Sequence, residues 1–340
     1  MSASPLVSVI TPVHNTEAYL PASIQSVLNQ SLSNFEYIII DDASTDRSWQ
    51  IIQDFAQQDD RIKPVRNPQK QSLAQVRNQA LEMAQGKYIA KIDADDINEP
   101  QRLQMQVSYL EKTPEVILCG AGVQYFSEDQ MLATWWLNVN PMEIKCRLLF
   151  ENCFANSTIM MRKSVIDQHH IRYQSDFDFS EDYGFWSAMS QQGNLAVIPE
   201  ILAKVRQHTQ KVSVKFTQIQ RANAEKVQRL ALQELNISPT PEELRLHFDS
   251  VHGSASPDLN LLKSLSQWLL KLQGQNQAKK IYPEPEFTHL LKQIWTKHTA
   301  GQTHLGPAFF KIIQQNPLSS YHSWSAYQQV KFKAKCLLKR

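Results

Sequence analysis

Apolar and polar positions show two different periodicities along the first hundred residues. Short, continuous apolar runs such as Tyr37 to Ile40 are typical of strands buried on both faces. Between them lie segments with helical spacing, as in 72–85, where apolar residues recur every three or four positions. The pattern predicts alternating strands and helices, and this alternation favours an α/β fold with a doubly wound, mostly parallel sheet.

The boundaries of these elements follow from the apolar runs and from the polar residues that interrupt them. The predicted strands are Leu6–Ile10, Tyr37–Ile40, Ile62–Val65 and Lys87–Ile92. The predicted helices run from about 18 to 29, from the turn at 41–46 to about 57, from 72 to 85 and from 99 to 112. We expect Thr16 to cap the first helix and Gly86 to end the third.

The middle of the chain has patterns typical of both strands and helices, and the part beyond residue 215 has only the helical pattern. We predict strands over 116–125, 157–161 and 202–206, and a helix over 182–191. The amphipathic helices predicted after these are 217–235, 258–273, 286–297 and 306–315. The pattern therefore predicts two domains, an α/β domain over 1–215 and a helical region of unknown role over 216–340.

An acidic turn, Asp93–Asp96, directly follows the fourth predicted strand and contains three carboxylates in four residues. Carboxylates this close repel one another, and burial raises the cost of their charges. A divalent cation removes both problems, and such cations often join a few carboxylates to substrate phosphates. A turn that caps the next helix is the alternative. A helix-loop-helix calcium site is excluded, because Asn98 and Gln104 occupy the positions of its glycine and last glutamate.

Composition narrows the class of protein. The chain has 340 residues, of which 42% are hydrophobic and 20% charged, as in globular proteins. A net charge of +2 gives no reason to expect nucleic-acid binding. We find neither an apolar run of about 18 residues nor the pattern of a signal peptide. Four cysteines without metal-binding spacing predict free thiols in a reducing cytoplasm.

Two further polar turns follow predicted strands. Thr11–Asn15 closes the first strand, and Asp41–Asp46 closes the second. Ligands of α/β sheets bind at the carboxyl ends of the strands, where His14 can offer an aromatic face to a base and an aspartate can accept hydrogen bonds from ribose. Plain turns, with Ser44 or Thr45 as a helix cap, are the alternative. The glycine-rich loops of dinucleotide-binding folds and of P-loop nucleotidases are absent from the sequence.

Three more motifs contain charged residues that suit a phosphate, a metal or a catalytic base. Arg77 lies on a predicted helix and suits a diphosphate or an acidic loop, although a solvated charge is the plainer interpretation. Glu181 and Asp182 begin a predicted helix, where the dipole favours acids, and a carboxylate aimed at a cleft can serve as a general base. Arg206 and His208 lie on one side of an extended segment, so that His208 can reach a metal and Arg206 a phosphate.

Together and in this order, the motifs resemble those of the family 2 glycosyltransferases of GT-A fold, over roughly residues 5–215. Thr11–Asn15 is similar to the family's Thr-Pro-x-Tyr-Asn, with His14 in place of tyrosine. Asp41–Asp46 matches its Asp-Asp-x-Ser-x-Asp motif. The segment 72–78 is similar to Gly-x-x-x-Ala-Arg-Asn, with Ser72 in place of the glycine.

The later motifs complete the resemblance. Asp93-Ala94-Asp95 matches the family's metal and donor motif, and Glu181-Asp182 matches its Glu-Asp motif. The segment from Arg206 to Ser213 resembles the closing motif, with Lys211 where glutamine is usual. Nothing specific matches the last 125 residues or so.

The resemblance implies an inverting transferase that moves a hexosyl or N-acetylhexosaminyl group from a UDP-sugar to an acceptor hydroxyl. It implies Asp182, beside Glu181, as the catalytic base, and a Mn²⁺ or Mg²⁺ ion held by Asp95 with Asp93 and His208. The residues implied in donor binding are Thr11, Pro12, His14, Asn15, Asp42, Arg77, Asp93 and Arg206. The implied acceptor is a saccharide or a lipid-linked saccharide of surface polysaccharide or lipopolysaccharide assembly, at the inner face of the membrane.

Other functions explain fewer of the motifs. A hydrolase with two carboxylates accounts for Asp182 but not for the nucleotide-binding turns. A nucleotidyltransferase shares donor recognition but gives no reason for the acids at 181–182. A non-catalytic nucleotide- or sugar-binding relative is the alternative outside enzymes, and the presence of both Asp95 and Asp182 argues against it.

The end of the chain is basic. Four lysines and an arginine lie among apolar residues in 330–340. A solvated helix end is one interpretation. The other is a peripheral contact with an anionic membrane surface, to which each basic residue contributes about 1 kcal/mol.

Overall fold

The computed structural model describes residues 4–127, 130–208, 217–253 and 257–339. The chain divides into two compact units. The first comprises Met1–Lys145 and Asn152–Val227, and the second comprises Cys146–Glu151 and Gln228–Arg340. The second unit thus takes one short segment from the middle of the chain.

Within the described residues, nine strands of the first unit form one sheet. They are β1 (Val7–Val13), β2 (Phe35–Asp42), β3 (Ile62–Asn67), β4 (Tyr88–Lys91), β5 (Ile97–Asn98), β6 (Val116–Ser127), β7 (Gln130–Trp135), β8 (Met160–Arg162) and β9 (Asn194–Arg206). Their order is β3-β2-β1-β4-β8-β6-β9-β5, and β7 lies beside β6. The pairs among β1, β2, β3 and β4 are parallel, as is β6 with β9. The pairs made by β5, β7 and β8 are antiparallel.

Helices alternate with the parallel strands, which confirms the predicted α/β class. Up to residue 189 they are α1 (Leu20–Leu28), α2 (Ser48–Ala56), α3 (Leu73–Met83), α4 (Arg102–Lys112), α5 (Pro141–Arg147), α6 (Lys163–Gln168) and α7 (Glu181–Met189). Every residue of β2 is buried, as its continuous apolar run predicts. Ser72 caps α3 in a capping box with Gln75, which fixes where this helix begins beside the sheet edge.

Several local predictions are wrong. Tyr19, not Thr16, occupies the N-cap position of α1, and its side chain makes no capping hydrogen bond. The α3 helix ends at Met83, before Gly86. A Cβ atom at Gly86 would lie 2.5 Å from the Ser8 nitrogen, so this glycine serves a close approach of two backbones and not a helix stop.

The middle of the chain also differs from the prediction. The predicted strand over 157–161 is a 3-10 turn (Asn156–Thr158) followed by β8. Strand β9 begins at Asn194, eight residues before the predicted start, and its register with β6 jumps past Pro199 and Glu200. These two exposed residues form an irregularity that interrupts the apolar pattern inside one long strand. Strand β7 and helices α5 and α6 were not predicted.

After residue 216 the described chain is helical. The helices are α8 (Thr217–Glu234), α9 (Pro241–His252), α10 (Leu259–Lys279), α11 (Glu286–Thr299), α12 (Pro307–Gln315) and α13 (Ala326–Leu337). The predicted helical C-terminal region is therefore confirmed, with α9 and α13 in addition. The second unit has its own core, built around Trp268, Phe287, Trp295 and Phe309. No helix in the described ranges is long and apolar enough to cross a membrane.

Candidate active site

The turns predicted to bind the donor meet at one edge, because β1 lies between β2 and β4 with all three strands parallel. His14 follows β1, and its Nδ1 lies 2.8 Å from the backbone oxygen of Asp42, at the end of β2. A carbonyl oxygen only accepts, so Nδ1 carries the proton and Nε2 is the acceptor nitrogen of the neutral ring. The hydrogen bond thus orients the imidazole that was predicted to stack on a base.

The two turns are also joined through Asn15, which adopts a left-handed backbone conformation with φ of 52°. Its backbone nitrogen donates to Ser44 Oγ at 3.0 Å, and its side-chain oxygen accepts from the Thr45 nitrogen at 2.8 Å. Thr11 points into the fold, where its hydroxyl lies 3.1 Å from the hydroxyl of Tyr37. Pro12 is half-buried. Asn15 therefore lies at the edge of the site, whereas the Thr11 side chain lies beneath it.

The carboxylate of Asp42 is buried and held by the end of β3 and the loop that follows it. It accepts hydrogen bonds from Asn67 Nδ2 at 3.1 Å and from the Gln71 nitrogen at 3.0 Å. Lys70 Nζ lies 3.9 Å away. These donors fix the carboxylate at the end of β2, where the sequence predicts contact with a nucleoside.

Arg77 brings two distant segments together. Its guanidinium is buried, donates to Glu181 and lies 3.9 Å from Asp93. Of the two partners predicted for Arg77, a diphosphate or an acidic loop, the structure shows the acidic one. Burial raises the pKa of Glu181, and the positive charge of Arg77 opposes this rise. One Glu181 oxygen and Arg77 Nε have no hydrogen-bond partner within the described residues.

Asp182 lies next to this pair, in the first turn of α7, and is half-buried. One carboxylate oxygen accepts from the Tyr183 nitrogen at 2.7 Å and the other from Asn152 Nδ2 at 3.3 Å. Ser180 occupies the N-cap position, but its hydroxyl donates to the Gln220 carbonyl at 2.8 Å and does not cap the helix. Asp182 is thus oriented by two hydrogen bonds and favoured by the helix dipole.

Asp95 and the end of β9 form a second cluster. His208 Nε2 lies 2.8 Å from Asp95 Oδ2, although the two residues are 113 positions apart. Arg206 Nε donates to the backbone oxygen of Asp95 at 3.0 Å. The Tyr19 ring covers both side chains, with its centroid 4.8 Å from that of His208 and 4.7 Å from Arg206 Cζ. The rest of the closing motif, with Lys211 and Ser213, lies outside the described residues.

Three metal ligands were predicted, and the structure brings two of them into contact. The third, Asp93, accepts a hydrogen bond from Asn156 at 2.6 Å on its Oδ1. No group of three His, Cys, Asp or Glu side chains in the described part of the chain is arranged to hold a metal. A carboxylate and an imidazole nevertheless suit a divalent cation whose remaining ligands are phosphate oxygens. The Asp95–His208 pair therefore fits a cation that binds together with a diphosphate.

Lys91 is the residue of this region that sequence reasoning missed. It ends β4 with 1% of its surface exposed, and its amine donates to Asn156, which in turn donates to Asp93. The amine also lies 5.0 Å and 4.9 Å from the ring centroids of Tyr173 and Trp186, within the range of cation–π contacts. The available signal was a lysine inside an otherwise apolar strand, two residues before the acidic turn.

Burial, and to a smaller extent the positive charge of Arg77, lower the pKa of Lys91 to about 7. The carboxylates of Asp93, Asp182 and Glu181 act in the opposite direction. The amine is therefore close to the balance between its charged and neutral forms at neutral pH. Because a strongly shifted pKa is typical of functional sites, we assign the Lys91 amine to the candidate site and not to the hydrophobic core.

Comparisons with known proteins bear on the family of this chain. The family model described as Glycosyl transferase family 2 matches residues 8–169. An uncharacterized glycosyltransferase of Haemophilus influenzae is 34% identical over 238 residues, which cover 67% of this chain and 74% of that protein. The Escherichia coli UDP-Glc:alpha-D-GlcNAc-diphosphoundecaprenol beta-1,3-glucosyltransferase WfgD is 30% identical over 194 residues, 57% of this chain and 73% of that one.

A solved structure supports the fold. The crystal structure of S. aureus TarS 1-349 in complex with UDP-GlcNAc is similar with a TM-score of 0.56. The match covers 86% of this chain and 88% of that one at 15% identity, so it bears on the fold alone. The predicted α/β fold with a helical C-terminal region is confirmed by this likeness.

Proposed function

Because this chain belongs to glycosyltransferase family 2, we propose that it transfers a sugar from a UDP-sugar to an acceptor hydroxyl with inversion at the anomeric carbon. The observation that carries the proposal is the contact of Arg77 with Glu181, 104 positions away, and its approach to Asp93. This contact brings the acidic start of α7 to the sheet edge where β1, β2 and β4 end. A donor-binding edge and a half-buried carboxylate are thus combined in one site.

In this proposal the donor lies across the ends of β1 and β2. His14 stacks on the base, and Asp42 accepts hydrogen bonds from the nucleoside. Asp95 and His208 would hold a Mn²⁺ or Mg²⁺ ion, and Arg206 lies beside them. The ion, when bound, supplies positive charge where negative charge develops on the departing UDP.

Asp182 is the base that we propose for the reaction. It accepts the proton of the acceptor hydroxyl while the oxygen attacks the anomeric carbon and the bond to UDP breaks. Its hydrogen bonds to Asn152 and to the Tyr183 nitrogen keep the carboxylate oriented. Glu181 is buried against Arg77, so we assign it the positioning of this helix start. A single displacement converts an α-linked donor into a β-linked product.

The finer assignments rest on the relatives. The name of WfgD describes transfer of glucose from UDP-glucose to a GlcNAc-diphosphoundecaprenol acceptor. By analogy, we propose a hexosyl or N-acetylhexosaminyl donor and a saccharide or lipid-linked saccharide acceptor in surface polysaccharide synthesis. A lipid-linked acceptor lies in the membrane, which would explain a peripheral contact of residues 330–340 with its cytoplasmic side.

The experiment starts with a panel of UDP-sugars and Mn²⁺, tested for thermal stabilisation, because a ligand that binds only the folded state raises apparent stability. The donor found in this way is then used in transfer assays with Asp182→Asn. We expect unchanged donor affinity and a turnover lower by about 10²-fold or more. The control is Asp176→Asn, which alters an exposed aspartate in the turn before α7.

The outcomes separate the alternatives. Near-normal turnover of Asp182→Asn would mean that Glu181 and Asp182 merely begin a helix. Donor binding by the wild type with neither transfer nor donor hydrolysis would favour a non-catalytic binding protein. No stabilisation by any nucleotide sugar would contradict the proposal as a whole.

A further inference from the structure

Helix α13 exposes an apolar stripe to solvent. Tyr327, Val330, Leu337 and Leu338 are 74%, 67%, 58% and 65% exposed. Their spacing, with Ala334 between them, follows the three- and four-residue steps that place side chains on one side of a helix. Four large apolar residues on one exposed side are unusual for a surface helix, because each leaves apolar area in water.

The fold of the second unit does not use this stripe. The helix packs through its other side, where Cys336 is buried and the Phe332 ring lies 5.1 Å from the Trp324 ring. Gln329, on the same side, donates to the Tyr321 carbonyl at 3.2 Å. A helix with one packed face needs polar residues on its opposite face, and α13 has apolar ones there. The stripe therefore requires a partner outside the unit.

The charges around the stripe indicate what kind of partner. Lys333 flanks it on one side, and Lys331 and Lys335 flank it on the other, all of them exposed. The sequence after Glu286 contains eight Lys and Arg residues and no Asp or Glu. An apolar stripe between lysines, in a part of the sequence without acids, is complementary to a surface with anionic groups above an apolar layer.

We propose that α13 lies in the headgroup region of an anionic lipid bilayer, with Tyr327, Val330, Leu337 and Leu338 toward the acyl chains and the flanking lysines on the lipid phosphates. The inference rests on the proposed function in one respect, since a lipid-linked acceptor gives the enzyme a reason to stay at a membrane. The helix lies on the membrane and does not cross it, because it has only 12 residues and three lysines interrupt it.

The test is co-sedimentation of the 340-residue protein with vesicles of phosphatidylcholine, with and without phosphatidylglycerol. Two variants separate the two contributions, the double change Leu337→Ser with Leu338→Ser and the double change Lys331→Gln with Lys335→Gln. Matched controls alter residues of the same type away from the stripe, Leu230→Ser for an exposed leucine of α8 and Lys279→Gln with Lys280→Gln for an exposed basic pair.

We expect the wild type and both controls to bind only the anionic vesicles. The leucine variant should bind at least tenfold more weakly, since two buried side chains are lost. The lysine variant should bind about 25-fold more weakly at low salt, at about fivefold per lysine, and differ less from the wild type at high salt. Equal binding by all proteins, binding to neutral vesicles alone, or no binding by the wild type would overturn the inference.

The same protein samples distinguish this inference from the proposed function. UDP-sugar stabilisation and donor hydrolysis need no membrane, so we expect both to be unchanged in the leucine and lysine variants. Hydrolysis without vesicle binding would reject the membrane inference alone. Vesicle binding by a protein that neither binds nor hydrolyses any donor would reject the proposed function alone. An acidic protein that binds the wild type without lipid, and binds the leucine and lysine variants more weakly, would likewise overturn the lipid assignment.

Discussion

Lys91→Met is expected to flatten the dependence of stability on pH while impairing transfer. Methionine keeps an unbranched side chain of similar length in the cavity between Tyr173 and Trp186 but removes the amine. The variant thereby loses the hydrogen bond from Lys91 to Asn156 and the support that Asn156 gives to Asp93. The substitution should therefore make stability less dependent on pH and should lower the rate of transfer.

The magnitude follows from the pKa of Lys91, about 7 in the folded protein against 10.5 for an ordinary lysine. Between these values the unfolded chain binds more protons than the folded one, so the free energy of unfolding rises with pH. Below pH 7 the full cost of burying the charge is present. A full difference of one proton corresponds to about 1.4 kcal/mol per pH unit, and the folded lysine is already half deprotonated at pH 7. The wild type should therefore gain about 2 kcal/mol between pH 7 and pH 9 that the variant does not.

The assay is urea unfolding of both proteins at pH 7, 8 and 9, followed by tryptophan fluorescence. Lys63→Met, which alters an exposed lysine of β3, is the control and should follow the wild type. Comparing the slopes cancels the contributions that do not titrate, including the lost hydrogen bond. Parallel pH profiles for the wild type and Lys91→Met would refute the argument that a buried, destabilised charge lies in this site.

Other substitutions test the donor site and the helical unit separately. Asp95→Ala should abolish transfer and remove the Mn²⁺-dependent part of UDP affinity in calorimetry, and an unchanged metal effect would reject the metal assignment. His14→Ala should weaken UDP binding while His14→Tyr retains it, because only alanine removes the stacking surface; equal affinities would place the base elsewhere. Burial lowers the pKa of His247 from 6.5 to about 4. Between these two pH values the unfolded chain binds more protons than the folded one. The free energy of unfolding should therefore fall by about 3 kcal/mol when the pH is lowered from 6.5 to 4. His247→Gln should show a flatter unfolding profile between pH 6.5 and 4, and an equal slope would contradict this explanation.

Sequence patterns predicted the elements whose environment is uniform along their length. The run Tyr37–Ile40 indicates a fully buried strand, because both faces of β2 are covered. Strand β9 was predicted only from Leu202 because the exposed Pro199 and Glu200 break its pattern, although pairing with β6 continues on both sides of them. Pairing across the sheet, and not local propensity, therefore decides where this strand begins.

The candidate site shows the same limit. Motif order located Arg77, Glu181 and His208, but not which of them touch. The contacts Arg77–Glu181 and His208–Asp95 join positions more than a hundred residues apart, and only the fold determines such distances. Lys91 was missed for a related reason, since a lysine in an apolar strand is ordinarily a surface residue whose burial no local pattern reveals.

The acidic turn shows that the physical argument made from the sequence was incomplete. Repulsion among its three carboxylates was the reason to expect a cation, yet in the structure each carboxylate has a partner within the protein. Asp93 accepts from Asn156, Asp95 contacts His208, and Asp96 accepts from the Arg206 nitrogen at 2.9 Å. Repulsion alone therefore does not require a metal here. The metal assignment depends on the Asp95–His208 pair, whose carboxylate and imidazole can exchange their mutual hydrogen bond for a cation when a diphosphate brings the remaining ligands.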